Sequence, residues 1–128
     1  MDMEKEIVKN EKLPGSVGPY SPMVRYGDLL FISGQISADV VTGKVISQDA
    51  AGQTRTIMEI IKSALEEAGS GMNKVVKCTI HLSDIKYFKE MNQVYALYFP
   101  NGYPARLCVS GVQLYDGVDV EIDVIAGV

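Results

Sequence analysis

From Lys74 to Leu82 the chain alternates with a period of two. Val76, Cys78, Ile80 and Leu82 fall on one side, and Lys77, Thr79 and His81 on the other. That is the pattern of a strand with one buried face. Between Asp49 and Ala68 the period lengthens. Ala50, Thr54, Ile57, Met58, Ile61, Leu65 and Ala68 recur at helical spacing, which predicts a helix with one apolar face. Ser47 or Asp49 is placed to cap its start, and Gly69 to end it in a left-handed conformation. A second helix follows the capping pair Ser83-Asp84. Phe88, Met91, Val94, Tyr95 and Tyr98 form its stripe, and Pro100-Asn101-Gly102 stops it. Met23–Tyr26 and Leu29–Ser33 read as short strands joined through a two-residue hairpin turn at Gly27-Asp28. Ala105–Ser110 and Val118–Ile125 read as two more, joined by a turn near Asp116-Gly117.

The predicted order is therefore β-β-α-β-α-β-β, an α+β sheet with both helices on one face. Residues up to about Leu13 read as weakly ordered or edge-like. Pro14–Pro22 reads as a rigid, irregular loop, because its prolines fix φ and its glycines supply special turns. Gln35–Val45 reads as a loop around Thr42-Gly43. The face away from the helices is expected to show Thr79, His81, Arg106, Cys108 and Ser110. Such a surface is too mixed for a dry core, and a partner subunit is expected to cover it, giving a homo-oligomer.

The chain has 128 residues, the size of one domain spanning residues 1–128, and it can bury a core without staples. No apolar stretch approaches the roughly 20 residues that a membrane span needs. The start, Met1-Asp2-Met3-Glu4-Lys5-Glu6, has neither the apolar segment of a secretory signal nor the arginine-rich character of a transit peptide, so a cytoplasmic location is expected. The net charge of −4 argues against a broad nucleic-acid surface, whose affinity comes from Lys and Arg neutralising phosphates. The two cysteines, Cys78 and Cys108, are expected to be free thiols. His81 is the one histidine, and no cluster has zinc-ligand spacing. The nucleobase-deaminase pattern H-x-E…P-C-x-x-C, the Walker loop and a G-x-G-x-x-G after a strand are all absent from the sequence.

The chemistry concentrates in the last two strands. Pro104-Ala105-Arg106-Leu107-Cys108-Val109 carries an arginine, and Val120-Glu121-Ile122-Asp123-Val124-Ile125-Ala126 a glutamate. On neighbouring strands these two groups form a minimal kit for binding a small carboxylate and moving a proton beside it. Arg106 offers a rigid two-pronged donor, the alternative being a solvated surface arginine. Glu121 offers a base, with Asp119 and Asp123 on its strand face to raise its pKa. The alternative is an acidic, solvated edge strand.

Gly18-Pro19-Tyr20-Ser21, Ile32-Ser33-Gly34-Gln35, Gln53-Thr54, Glu67-Ala68-Gly69, Asn92-x-Val94-Tyr95-x-x-Tyr98-Phe99, Pro104-Ala105-Arg106 and Val120-Glu121-Ile122 occur in this order. As an ordered set they resemble the RidA/YjgF family of enamine/imine deaminases, also labelled the endoribonuclease L-PSP family, from about Ile7 to Ala126. The resemblance implies a chorismate-mutase-like mixed sheet, assembled as a homotrimer with sites in clefts between subunits. It implies cofactor-free and metal-free hydrolysis of 2-aminoacrylate-type enamines and 2-imino acids to 2-keto acids and ammonia, as in a 2-iminobutanoate/2-iminopropanoate deaminase. The motif positions imply a site of Tyr20, Ser33, Asn92, Arg106, Cys108 and Glu121, with Arg106 on the substrate carboxylate and Glu121 handling the proton of the attacking water.

Each remaining residue also has a plainer role open to it. Tyr20 can donate to substrate or water, or pack as a loop aromatic. Ser33 can bind the carboxylate or bond nearby backbone. Asn92 reads as a pocket wall or subunit contact. Cys108 lines the pocket rather than attacking, since a catalytic cysteine needs a base. Cys78 reads as core, and His81 as structural or solvent-facing. The chain departs from the family pattern at Leu107, Val112, Tyr115 and Ser37, which bears on the pocket's shape. Two other functions fit the same scaffold: RNA cleavage or inhibition of translation, and non-catalytic binding of small carboxylates by a trimer.

Overall fold

A computed structural model describes residues 3–128; Met1 and Asp2, the start of the charged N-terminal run, lie outside the described residues. Its elements are β1 (Glu6–Ile7), β2 (Met23–Tyr26), β3 (Leu29–Gln35), α1 (Ala50–Glu67), β4 (Val75–Leu82), α2 (Phe88–Ala96), β5 (Ala105–Val109) and β6 (Val120–Gly127). The strands form one six-stranded sheet in the order β1-β2-β3-β6-β4-β5. β4 and β5 are parallel and the other neighbours antiparallel. A parallel pair needs a crossover, and α2 supplies it. The α+β architecture with two helices over a mixed sheet is the one the sequence predicts.

The core lies between the helices and one sheet face. Ile57, Met58, Ile61 and Leu65 of α1 and Met91 of α2 are buried against Leu30, Ile32, Cys78, Ile80, Leu82, Val120, Ile122 and Val124. α1 begins where the Asp49 carboxylate accepts from the Gly52 N–H at 2.8 Å, a cap contributing about 1 kcal/mol. It ends where Gly69 takes φ +82°. There Gly69 N–H donates to Glu66 O and Ser70 N–H to Leu65 O, so the orphan carbonyls of the last turn are satisfied. In the β2–β3 hairpin Tyr26 pairs with Leu29. Gly27 supplies the positive φ of 60° at the first turn position, where a two-residue turn of this hand favours glycine. Among the described residues no helix is long and apolar enough to cross a membrane.

Three details differ from the sequence reading. β5 and β6 are not a hairpin pair: β4 lies between them. Their connection carries the chain past β4 into the gap beside β3, so local turn residues alone mimic a hairpin. Val76 does not share the buried face of β4. A register shift between Val75 and Lys77 turns it outward, and Val75 is buried in its place. Glu6–Ile7 is a short edge strand paired with β2, both residues exposed, with no alternation long enough to read.

The largest correction concerns facing. Arg106 stands in register with Cys78, and Cys108 with Ile80. Both partners are buried under the helices, so Arg106 and Cys108 belong to the helix side. The open side carries Lys77, Thr79 and His81 of β4, Leu107 and Val109 of β5, and Glu121, Asp123 and Ile125 of β6. Phe31 stands beside Ile125, and Leu29 at the end of the same row.

Candidate active site

The predicted site residues fall into two groups on opposite faces of the sheet. Tyr20, Ser33 and Glu121 line a cavity of about 340 Å³, together with Pro14, Val17, Gly34, Ile36 and Tyr115. Asn92 and Arg106 line a second hollow of about 350 Å³ with Tyr95, Tyr103 and Pro104. Within one chain the guanidinium and the glutamate do not meet, and the reading of Arg106 and Glu121 on neighbouring strands is overturned by β4 standing between them.

Glu121 extends from β6 across the irregular end of β3. A side chain on Gly34 would collide with it, since an ideal Cβ there would lie 2.6 Å from Glu121 Oε2. Glycine inside a strand marks such a close approach. Gly34 sits where the β3–β6 register shifts between Ile32 and Gln35, and such an irregularity re-aims the strand beside a site. Burial pushes the Glu121 carboxyl pKa up, nearby His81 pulls it down and Asp123 pushes it up. His81 stands directly opposite Glu121 in register. Asp123 is raised too, again chiefly by burial. Asp119 plays no part: it turns to the helix side, where its carboxylate accepts from Ser83 Oγ at 2.7 Å and from Gln53 Nε2 at 3.3 Å.

Ser33 Oγ donates to Ser21 O at 2.7 Å, and its N–H donates to Pro22 O. Its hydroxyl proton is therefore committed to the Tyr20 loop, the plainer of its two roles, while the residue lines the cavity. Tyr20 is 46% exposed. Its hydroxyl oxygen accepts from Val17 N–H at 3.4 Å, which folds the Gly/Pro loop back on itself and sets the ring at the cavity mouth.

On the other face, Arg106 Nη1 donates to Asn92 Oδ1 at 2.7 Å. Its guanidinium carbon lies 5.0 Å from the Tyr95 ring centre and 5.7 Å from that of Phe88. Two aromatic faces and one amide hold the cation, with α2 supplying all three. Cys108 is half-buried, and burial raises its thiol pKa above the ordinary value despite Arg106 nearby. A thiol raised in this way has less thiolate character than an ordinary cysteine, which makes it a poorer nucleophile. Cys78 is fully buried, and burial pushes its thiol up to about 11, as befits a core residue. Among the described residues no group of three or more His, Cys, Asp and Glu could hold a metal ion.

Of the cavity residues that the sequence reading did not assign to the site, Gly34 and Tyr115 stand out. Gly34 was legible only as part of a motif, although glycine within a strand is a sign of close approach. Tyr115 was legible as a departure from the family pattern, without a place.

The chain matches the Endoribonuclease L-PSP family model over residues 10–128. It is 42% identical to a RutC family protein of Pyrococcus abyssi, over 97% of this chain and 98% of the relative. It is 36% identical to Reactive Intermediate Deaminase A, chloroplastic, of Arabidopsis thaliana, over 97% of this chain and 66% of that one. The crystal structure of E. coli TdcF with bound serine superposes with a TM-score of 0.87 at 32% identity, covering 96% of this chain and 99% of that one.

Proposed function

Since the chain belongs to the endoribonuclease L-PSP, or RidA/YjgF, family, we propose that it hydrolyses reactive enamines and 2-imino acids to 2-keto acids and ammonia. The observation that carries this reading is the Glu121 carboxylate, raised in pKa by burial and fixed across Gly34 at the wall of a cavity sized for a small molecule. A guanidinium is held ready on the opposite face. A single chain supplies both halves but does not join them. In a ring of like subunits with a heterologous interface, one protomer's Tyr20–Ser33–Glu121 half would meet the next protomer's Asn92–Arg106–Cys108 half. The open sheet face, with Leu29, Phe31, Leu107 and Ile125, offers the apolar surface for a homotrimer.

The chemistry then needs few parts. Arg106 binds the substrate carboxylate with paired N–H donors. An enamine first takes a proton on its terminal carbon and becomes an imine. The protonated C=N carbon is an electrophile, so no protein nucleophile is required. Glu121 takes a proton as water adds to that carbon, giving a carbinolamine. The proton returns to nitrogen, the C–N bond breaks, ammonia leaves, and the hydroxyl oxygen becomes the keto oxygen as its proton departs. A carboxylate whose pKa is raised by burial is a stronger base than an ordinary one and can return the proton it takes. The serine bound to TdcF supports a site for small amino-acid-like carboxylates.

The test is keto-acid release from an imine made in situ by an amino-acid oxidase, with and without the protein. Glu121→Gln is expected to lower kcat by about 10²- to 10⁴-fold. Arg106→Ala should lower kcat/KM by about 10- to 100-fold, the value of a charged hydrogen bond. Activity of the parent should fall as pH drops through the raised Glu121 pKa, because the ionised form is the base. Variants as fast as the parent would overturn the assignment. Carboxylate binding with no acceleration by the parent would point to the non-catalytic reading.

A further inference from the structure

His81 is the one histidine of the chain, and the mechanism above leaves it idle beside the base. On β4 and β6 it stands directly opposite Glu121 in register. Ile80 and Leu82 on one strand and Val120 and Ile122 on the other are buried under the helices, so His81 and Glu121 both leave the sheet on its open face. Directly opposed residues hold their Cβ atoms about 4.5–5.5 Å apart. Backbone pairing within one chain sets this spacing, so it is the same in a lone protomer and in a ring of subunits. The Nδ1 of His81 is buried and, among the described residues, has no hydrogen-bond partner. An imidazolium carries a proton on that nitrogen as well as on Nε2. Such a buried proton is stabilised by negative charge close by, and the adjacent strand holds it.

The groups that face His81 are few. From β6 come Glu121 opposite and Asp123 on the diagonal, in register with Thr79. From β5 come Leu107 and Val109, which cannot titrate. β4 itself adds Lys77, beyond Thr79. β3 stands behind β6 with Phe31 and Ser33, and the wall beyond Glu121 holds Tyr20 and Tyr115; none of these supplies positive charge. Burial is the largest influence on both carboxyls and raises them. Against it Asp123 has His81, a hydrogen bond from Thr79 and Lys77, whereas Glu121, among the described residues, has His81 alone. In the ring proposed above, Arg106 of the partner subunit would add a second cation beside Glu121. A guanidinium keeps its charge at every working pH, so it displaces the whole profile and leaves the histidine's share to be measured.

Resting on the deaminase reading above, we infer that His81 is a positioning residue for the reaction, an imidazolium that holds the Glu121 carboxylate ionised as the pH falls. Histidine gains its charge as pH drops through about 8 to 5. That charge opposes protonation of Glu121, so the base persists to lower pH than burial alone permits. His81 acts through Glu121 and not on the substrate.

The experiment follows the Glu121 carboxyl itself. With carbon-labelled glutamate, the Cδ signal that is missing from Glu121→Gln is titrated by NMR in the intact parent, in His81→Gln and in His81→Lys. Profiles of kcat/KM against pH are measured on the same proteins with an imine made in situ, the rate without protein being subtracted at each pH. In His81→Gln the carboxyl midpoint and the acid limb should both rise, by about 0.5–1 pH unit for the loss of one nearby cation. His81→Lys keeps a cation and should return both to the parent's values or below. At high pH, where Glu121 is ionised in every protein, His81→Gln should share the parent's plateau. A midpoint that His81→Gln leaves unmoved overturns the assignment, and so does a lowered plateau with an unmoved limb, which is the mark of a merely structural residue. His81→Lys behaving like His81→Gln overturns it as well, since charge is then not the cause. If no imine is accelerated by the parent, the deaminase reading fails while the carbon titration still decides. A midpoint raised in His81→Gln keeps His81 as the group that holds Glu121 ionised, and an unmoved one removes it.

Discussion

Glu121 owes its place to a residue with no side chain. Gly34 leaves the space into which the carboxylate folds, and a methyl group there would sit 2.6 Å from Oε2, closer than any real contact. Gly34→Ala must therefore move the glutamate or the strand end. The close atom is the outer end of a flexible side chain and Gly34 itself is exposed, so the fold can absorb the shift at small cost, but a base displaced by an ångström loses its line to the water. The expected outcome is a kcat/KM lowered at least tenfold, with a melting midpoint within about 10 °C of the parent. A parent-like rate would show that the approach over Gly34 does not fix the base. At this scale the sequence revealed the chemical types. It did not reveal the partners. Arg106 and Cys108 have the same parity on one strand, so their shared side was legible. Which side that is depends on the register with β4, where Cys78 and Ile80 face the helices. Parity within a strand carries no such information.

The elements were legible in proportion to their length. Over eighteen residues α1 repeats its apolar pattern often enough to fix both its face and its ends. Two residues of β1 cannot, and a single bulge in β4 was enough to put Val76 on the wrong side. The β5–β6 connection failed for a different reason. Asp116-Gly117 has the residues of a hairpin turn, but pairing is decided by which strand edge remains open, a property of the sheet. What holds the start of β6 in the central slot is a buried amide on α1. Gln53 Oε1 accepts from the N–H groups of Asp119 at 2.9 Å and Val120 at 3.3 Å, and its Nε2 donates to Gln48 O at 2.9 Å. These N–H groups lie at the mouth of the strand that carries Glu121. Gln53→Leu keeps the volume and strands both donors, each costing about 1–3 kcal/mol when buried without a partner. We expect the urea midpoint to drop by the equivalent of about 2–4 kcal/mol with an unchanged slope. A loss below about 1 kcal/mol would mean that water replaces the amide and that the clasp contributes little.

For the whole molecule, the two half-sites and the open sheet face raise one question of assembly. An acid–base half on one face and a cation half on the other cannot act on one small substrate within a chain. They can act if copies are arranged head to tail, so that each interface joins one half from either neighbour. The mixed, partly apolar face of β3, β6, β4 and β5 supplies what such a contact would bury, and a surface of this kind rarely stays uncovered. The consequence is specific to shared sites. Arg106→Ala and Glu121→Gln chains are each expected to run at their reduced rates, at least about tenfold below the parent, as uniform assemblies. Co-expressed or refolded together in equal amounts, they place an intact cation half against an intact acid half at about one interface in four of a randomly mixed ring. Turnover should then recover to about a quarter of the parent's per site, with an intact KM. Were each site built within one protomer, no mixture of these two chains could contain a complete one, and the rate would stay at the level of the separate variants.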